Sequence, residues 1–299
     1  KPFSQDQLVD LPSKYDLRDY GLVTSIKDQG GSGACWAFTT LAAMESYLLK
    51  YENVSYDFSE NNMKNLMGYY GLNGTDWADG GNHFMSLAYL LRWSGPIDEA
   101  LDPFDDTSHS SKSNLNLTKH VQDVLYIPVR LNYLDIDQIK AALMKYGALY
   151  TTIHADDTFQ YVPDYYLDVI SVSNHAVTII GWDDNYSADN FVVKPPGDGA
   201  FLIKNSWGTN YGHEGYWYIS YYDKSFAGYG LDCISAMAFT NIENVTNYKT
   251  NYQYDILGYN YEVTFDDIAL HGLQMSSLLK TTIHCLHSVF IPMEIQAIW

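Results

Sequence analysis

Apolar residues follow a helical spacing in the first half of the chain. The pattern begins at Cys35, directly after a glycine-rich turn, and continues to about Tyr51. Such spacing places the apolar side chains on one face of an α-helix. The face consists of Ala37, Leu41, Met44 and Leu48, widened by Phe38 and Leu49. We therefore predict a helix with Cys35 in its first turn.

Three further helices are predicted from the same spacing and from their end signals. Ser59 is suited to cap a short helix that Gly71 ends. A glycine loop at residues 80–81 leads into a second helix, which Gly95 closes.

The third of these helices has a capping-box pattern. Asp135 is followed three positions later by Gln138, and Gly147 supplies a C-terminal stop. The polar stretch over residues 98–132 predicts no element. It separates the helices on its N-terminal side from a region of different periodicity.

The second half of the chain has the composition of strands. Its apolar segments are rich in β-branched and aromatic residues and are separated by turn residues. They are ALYTTI, HAVTIIGW, GAFLIKNSW, GYWYISYY and CISAMAF. Helices thus come first and strands later, without an internal repeat. This order favours the α+β class with two lobes over an alternating parallel sheet.

Acidic residues outnumber basic ones, 36 to 17, so the 299-residue chain has a formal net charge of −19. Binding to nucleic acid or to an anionic membrane surface needs clustered Lys and Arg, and neither partner is expected. No apolar run approaches the ~20 residues of a membrane-spanning helix. A hydrophobic fraction of 46% is enough for a sizeable core.

The composition changes towards the C-terminus. Of the 27 tyrosines none lies after Tyr261, and after Asp267 the only acidic residue is Glu294. We interpret residues 240–299 as a linker and a truncated or frame-shifted C-terminal region, and residues 1–10 as an N-terminal extension. A single-base insertion or deletion in the coding DNA that restores a Tyr- and Asp-rich tail would support the frame shift.

Cys35 could be a buried small hydrophobe, half of a disulfide, or a nucleophile. The chain has two other cysteines, and parity alone allows a bridge between Cys233 and Cys285. A helix N-terminus favours thiolate over thiol. A nucleophilic thiolate also needs a group that handles protons and a site for the oxyanion.

Three side chains could supply those functions. His175 opens an apolar strand, so a rigid element would hold its imidazole. Asn205 precedes a tryptophan and a glycine-rich turn, and its amide could hold an imidazole in one tautomer. Gln29 could donate an N–H to an oxyanion beside the backbone N–H of Cys35.

Taken together, these motifs resemble the papain-like cysteine peptidase family, in the order that the family has them. They are Gln29, GACWAF at 33–38, NHAV at 174–177 and KNSWG at 204–208. The resemblance implies a catalytic domain over residues 11–239. Its fold would have a helical N-terminal lobe, an antiparallel β C-terminal lobe and the active-site cleft between them.

The resemblance also implies a role for each residue. Cys35 would be the nucleophile, His175 its ion-pair partner and proton donor, and Asn205 the group that orients the imidazole. Gln29 would complete the oxyanion hole. No cofactor and no metal ion are implied. The substrate-binding set would be Gly80, Gly81, Asn174 and Trp207, with Trp207 also shielding the His–Asn hydrogen bond.

Two departures from the family pattern limit what can be transferred. Ser32 stands where the family usually has a cysteine that is paired to another near the second helix, so that bridge is not expected. The segment DDNYSADNFVVKPPGDG separates the His175 and Asn205 motifs by more than the usual spacing. We interpret it as an inserted loop or hairpin on the β lobe that would shape the primed side of the cleft.

These observations predict a hydrolase, a secreted or cell-surface cysteine endopeptidase that acts on peptides or proteins. Two alternatives remain. A non-catalytic binding or adhesion module could use the same scaffold, although intact Cys35, His175, Asn205 and Gln29 argue against it. A transpeptidase could use the same residues, and product analysis would separate it from a hydrolase. The sequence predicts no oligomeric state.

Overall fold

The computed structural model describes residues 10–70, 80–112, 114–228, 235–248 and 250–251. Cys233, Cys285 and Gly71, the predicted helix end, lie outside the described residues, as does the compositional change in the tail. None of the helices among the described residues combines the length and the hydropathy of a membrane-spanning segment.

Helices form at the four positions that the apolar pattern predicts. Ser59 caps the second of them, since its Oγ accepts a hydrogen bond from the backbone N–H of Asn62 at 3.0 Å. Asn82 caps the third through its side-chain oxygen. The helices are α1 (Cys35–Glu52), α2 (Glu60–Tyr70), α3 (His83–Leu91) and α4 (Asp137–Tyr146).

The capping box predicted for α4 is wrong. Ile136 occupies the N-cap position, and no side chain bonds to the first turn. The Asp135 carboxylate instead accepts the backbone N–H of Leu131 at 2.9 Å, which closes the preceding turn. Gly147 ends α4 as predicted, with a positive φ of 87°.

The described strands form one mixed sheet in the order β2-β8-β3-β5-β6-β7-β4, with β1 paired to β5. The five predicted strands are confirmed. The pairs are antiparallel except β4 with β7, which is parallel, so the sheet is not purely antiparallel. The strands are β1 (Lys14–Asp16), β2 (Lys119–Ile127), β3 (Leu149–Ile153), β4 (Asp164–Tyr165), β5 (His175–Asp183), β6 (Ala200–Lys204), β7 (Tyr216–Ser220) and β8 (Ala236–Asn244).

Strand β2 lies in the stretch for which the sequence predicts no element. It pairs with β8 from Lys119↔Asn244 to Ile127↔Ala236. This ladder crosses the domain boundary that is predicted after Phe239.

Alternation along the strands separates two hydrophobic clusters. In β8, Met237 and Phe239 belong to the cluster around α1, whereas Ala236 and Ala238 belong to the cluster that includes α4. Successive strand residues face opposite sides of a sheet, so α1 covers one face and α4 the other. The α+β class is thereby confirmed.

The segment 183–199, interpreted from the sequence as an inserted loop or hairpin, begins at the last residue of β5 and leads to β6. Tyr186 anchors it: its ring stacks on Tyr218 of β7 with centroids 3.9 Å apart, and its hydroxyl donates to Asp164 of β4 at 2.5 Å. The loop is thus attached to the β7–β4 edge of the sheet.

Candidate active site

A glycine turn that two aspartate side chains hold by hydrogen bonds positions Cys35 at the start of α1. The backbone N–H of Gly30 donates to Asp28 Oδ1 at 2.9 Å, and that of Gly31 donates to Asp106 Oδ2 at 3.0 Å. Gly30 has a φ of +56°, and a Cβ there would lie 2.4 Å from Asp106 Oδ2. Glycine is therefore required where the chain turns into the helix.

The thiol of Cys35 reaches across to the sheet. Its side chain is hydrogen-bonded to the backbone N–H of Ala176, the residue after His175 in β5. Burial raises the pKa of the Cys35 thiol, and the backbone N–H groups of Ala176 and Trp36 oppose that shift. The cysteine of the first motif thus lies beside the histidine of the second.

The side chains of His175 and Asn205 form the hydrogen bond that the sequence predicts. His175 Nε2 lies 2.8 Å from Asn205 Oδ1, and the backbone N–H of Ser206 donates to the same oxygen at 2.8 Å. An amide oxygen only accepts, so Nε2 carries a proton in this pair and Nδ1 is the basic nitrogen of the neutral ring.

Aromatic rings enclose the imidazole. The Trp207 ring lies 4.8 Å from it and the Phe159 ring 6.1 Å, measured between centroids. Burial lowers the pKa of His175 to about 4, whereas the hydrogen bond with Asn205 acts to raise it. Burial alone therefore favours a neutral thiol and a neutral imidazole. The attraction between the two charges that a proton transfer from Cys35 to His175 would create acts in the opposite direction.

Gln29 links the glycine turn to the Asn205 segment. Its backbone N–H donates to Ser206 O at 2.8 Å, and its Oε1 accepts the Ser206 hydroxyl at 2.6 Å. Its Nε2 donates to Ser32 O at 2.7 Å. An amide nitrogen carries two hydrogens, so the second can serve an oxyanion.

Gly80 and Gly81 pass close to the turn that holds Cys35. A Cβ on Gly81 would lie 2.3 Å from the indole nitrogen of Trp36, and one on Gly80 would lie 4.0 Å from Gly33 O. Two glycines here let the backbone approach the first turn of α1, as a wall of the predicted cleft requires.

We expect Gly81→Ala to raise KM for a peptide about tenfold, because either Trp36 or the loop must move away from the new methyl group. Steady-state kinetics would measure the change. Gly21→Ala is the control for a purely structural effect: a Cβ at Gly21 meets nothing within 4 Å, but its φ of +67° strains alanine, so this variant should lose stability and keep its KM. Unchanged kinetics in Gly81→Ala would show that this loop does not border the substrate.

Asn174 makes a different set of contacts. Its Oδ1 accepts the backbone N–H of Ala155 at 2.8 Å, and its Nδ2 donates to Ala155 O at 3.0 Å. The two hydrogen bonds thus hold the side-chain amide of Asn174 against the loop that follows β3. Its predicted role in substrate binding stays a prediction.

Residues 11–250 match the family model described as papain family cysteine protease. The chain belongs to this family. A relative, the cathepsin L-like peptidase of Aedes aegypti, is 29% identical over 222 residues, which are 72% of this chain and 60% of that protein. The chain thus spans less than two thirds of the length of this relative.

Solved structures of the papain family agree with the fold. The cysteine protease and lectin-like domains of Cwp84, a surface layer associated protein of Clostridium difficile, match with a TM-score of 0.68 and 30% identity over 84% of this chain and 56% of that one. The bromelain protease of Ananas comosus matches with a TM-score of 0.60 and 23% identity, over 77% of this chain and 99% of that one. The papain-like fold is therefore confirmed.

Behind the His–Asn pair lies a cluster of charged side chains, hereafter the buried charge cluster, that the sequence analysis missed. Lys27 Nζ lies 2.8 Å from Glu60 Oε1 and 3.3 Å from Glu45 Oε1. Lys204 Nζ donates to Thr24 O at 3.1 Å and to its hydroxyl at 3.0 Å. Lys204 belongs to the KNSWG motif and Lys27 lies two residues before Gln29, but no spacing rule places either lysine beside the glutamates of α1 and α2.

Proposed function

We propose that this protein is a cysteine endopeptidase that hydrolyses peptide bonds through an acyl-enzyme on Cys35. The observation that supports this most strongly is the 2.8 Å bond from His175 to Asn205 beneath Trp207. It leaves Nδ1 of His175 as the proton-accepting atom, next to the Ala176 N–H that contacts the thiol.

In the first half of the reaction, His175 Nδ1 accepts the thiol proton and the sulfur of Cys35 attacks the peptide carbonyl carbon. The backbone N–H of Cys35 and the second Nε2 hydrogen of Gln29 stabilise the oxyanion. The C–N bond then breaks, and His175 donates its proton to the leaving amine. A thioester remains on Cys35.

In the second half, water attacks the thioester carbon while His175 accepts one of its protons. The tetrahedral intermediate collapses, expels the sulfur and releases a carboxylic acid. Throughout the cycle, Asn205 holds the imidazole in one orientation, as a tautomer-fixing partner does in other nucleophile–base pairs.

We expect kcat/KM to follow a bell-shaped dependence on pH. It should rise as Cys35 becomes a thiolate and fall as His175 loses its second proton. Because the Asn205 bond raises the pKa of His175, Asn205→Ala should move the descending limb to lower pH. Rate measurements across the pH range would test this. A flat profile near neutrality would contradict an ion pair between Cys35 and His175.

We also propose that the enzyme acts outside the cell on peptide or protein substrates. Support comes from Cwp84, which its solved structure describes as surface-layer associated and as carrying a lectin-like domain. Immunodetection in the surface and medium fractions of the source cells would test this location. Confinement to the cell interior would contradict it.

A mixed fluorogenic peptide library under reducing conditions tests the activity itself. We expect internal cleavage, with new amino termini identified by mass spectrometry. Joined peptides in place of hydrolysed ones would favour a transpeptidase. No turnover from folded protein with reduced Cys35 would favour a binding module.

A further inference from the structure

Two buried polar atoms behind the site have no hydrogen-bond partner among the residues that the structure describes. They are Nδ2 of Asn205 and Oε2 of Glu60. Asn205 and Glu60 are only 3% and 1% exposed. Buried polar groups nearly always form a hydrogen bond with protein or with ordered water, so we expect a hydrogen-bond partner for both atoms.

Both residues line the same cavity between the two lobes. The cavity has a volume of about 10 Å³ that the centre of a water molecule can occupy. This volume is the lower limit for holding one water. Most of the residues that line it have polar or charged side chains, and Phe38 and Ala42 complete its wall. The polar and charged side chains that line it include Lys27, Glu45, Glu60, Lys204, Asn205 and Ser206.

We propose that this cavity binds one structural water that links Asn205 Nδ2 to Glu60 Oε2, and that Glu60 thereby acts as a positioning residue for Asn205. Asn205 Nδ2 would donate to the water. Glu60 Oε2 would bond to it on the opposite side. Since water both donates and accepts, the link persists whether Glu60 is charged or protonated.

Such a water would act on the reaction through the orientation of one amide. Asn205 Oδ1 faces His175, and Nδ2 is on the opposite side of the amide. A water bound to Nδ2 would stabilise that orientation. If the link were lost, the amide could rotate, and the support that Oδ1 gives to the imidazolium would weaken. This consequence for the reaction rests on the proposed peptidase function, whereas the water site does not.

The charged groups around Glu60 are compatible with this link. Burial raises the pKa of Glu60 to about 8, and Lys27 opposes the shift. Burial also lowers the pKa of Lys204 to about 8. The charged groups that act most strongly on Glu60 are Lys27, Glu45 and Glu99. The charges that act most strongly on Lys204 are those of Glu45, Lys27, Glu60 and Asp57. His175 in turn faces Cys35, Asn205 and the rings of Trp207 and Phe159.

A crystal structure of the full chain that resolves ordered water tests the site directly. We expect one water oxygen within hydrogen-bonding distance of both Asn205 Nδ2 and Glu60 Oε2. A dry cavity, or a direct bond between the two side chains, would overturn the proposal. This result is independent of catalysis. An inactive protein would refute the proposed function, and the crystal structure alone would still decide whether the water site exists.

Variants at Glu60 test the positioning role. Glu60→Met removes the acceptor, and we expect kcat to fall about tenfold with KM nearly unchanged. The descending pH limb should move to lower pH by about half a unit, since His175 loses part of its support. Glu60→Gln keeps an oxygen for the water and should restore both values. The same two variants in the crystal should lack and retain the water, respectively.

Glu45→Gln is the matched control. Glu45 lines the same cavity and belongs to the same charge cluster, but its oxygens already accept from Thr24, Lys27 and Phe58. It should lower stability without moving the descending limb. If Glu60→Met leaves that limb in place, or if Glu60→Gln moves it equally far, Glu60 acts through packing or charge and the proposal is wrong. Should Glu60→Met fail to fold, Glu60→Leu, which also lacks the acceptor oxygen, takes its place, and an unmoved limb in that variant would overturn the proposal.

Discussion

Cys35→Ala should reduce peptide hydrolysis to the background rate, a loss of at least about 10⁴-fold in kcat/KM. Alanine keeps the first turn of α1 and removes only the sulfur that forms the thioester. His175, Asn205 and Gln29 would remain in place, yet no bond to the substrate could form. Rates on a peptide identified from the library would measure the loss.

The other two thiols provide the control for this prediction. A double variant, Cys233→Ala with Cys285→Ala, leaves Cys35 as the only cysteine in the chain. We expect it to keep its activity and to lose that activity on alkylation. Residual turnover by Cys35→Ala comparable to that of the parent would show that another group is the nucleophile.

The second large effect is on stability, in the buried charge cluster. Lys27→Ala should lower the free energy of unfolding by about 3–5 kcal/mol, because it leaves the buried carboxyl groups of Glu45 and Glu60 without the cation that pairs with them. Lys27 contacts Glu45 and Glu60, whose side chains are 1% and 2% exposed. Denaturant unfolding followed by circular dichroism would give the difference.

The loss should depend on pH in a defined direction. Burial raises the pKa of folded Glu60 from 4.5 to about 8, so the folded state binds more protons than the unfolded state between these values. Stability from this group is therefore lost as pH rises through that window. Without Lys27, the pKa of Glu60 rises further, and the deficit should be larger at about pH 8 than at about pH 5.

Lys194→Ala is the matched control for the buried lysine. Lys194 and its partner Asp189 have side chains 65% and 76% exposed, and exposed ion pairs contribute about 0–1 kcal/mol. We expect a change within that range and no pH trend. Equal losses in Lys27→Ala and Lys194→Ala would contradict the role given to burial.

Periodic elements could be predicted from the sequence, and irregular ones could not. The apolar face of α1 and the β-branched run of β5 are local patterns, so their types follow from neighbouring residues. β2 begins with Lys119 and His120, polar residues that are typical of an exposed segment. Lys119 is buried because its ammonium group bonds to Glu52 and Asn244, partners that are distant in sequence.

In the candidate site, too, the sequence predicts the residues that stand in local motifs and misses those that distant contacts bring together. Cys35, His175, Asn205 and Gln29 stand in short motifs, so the amino-acid sequence alone is enough to recognise their types and order. Phe159, which packs beside the imidazole, sits in a turn with no motif around it. The buried charge cluster joins α1, α2 and β6, and only the folded chain brings its members together.

Mass spectrometry of a rapidly quenched reaction tests the central claim most directly. A blocked amino-acid p-nitrophenyl ester would be mixed with the reduced full chain, and the protein would be digested after acid quench. The account predicts an acyl group on the peptide that contains Cys35, absent from Cys35→Ala and lost with time by hydrolysis. Ester turnover with Cys35 unmodified, or an acyl group on another residue that forms and decays at the turnover rate, would contradict it.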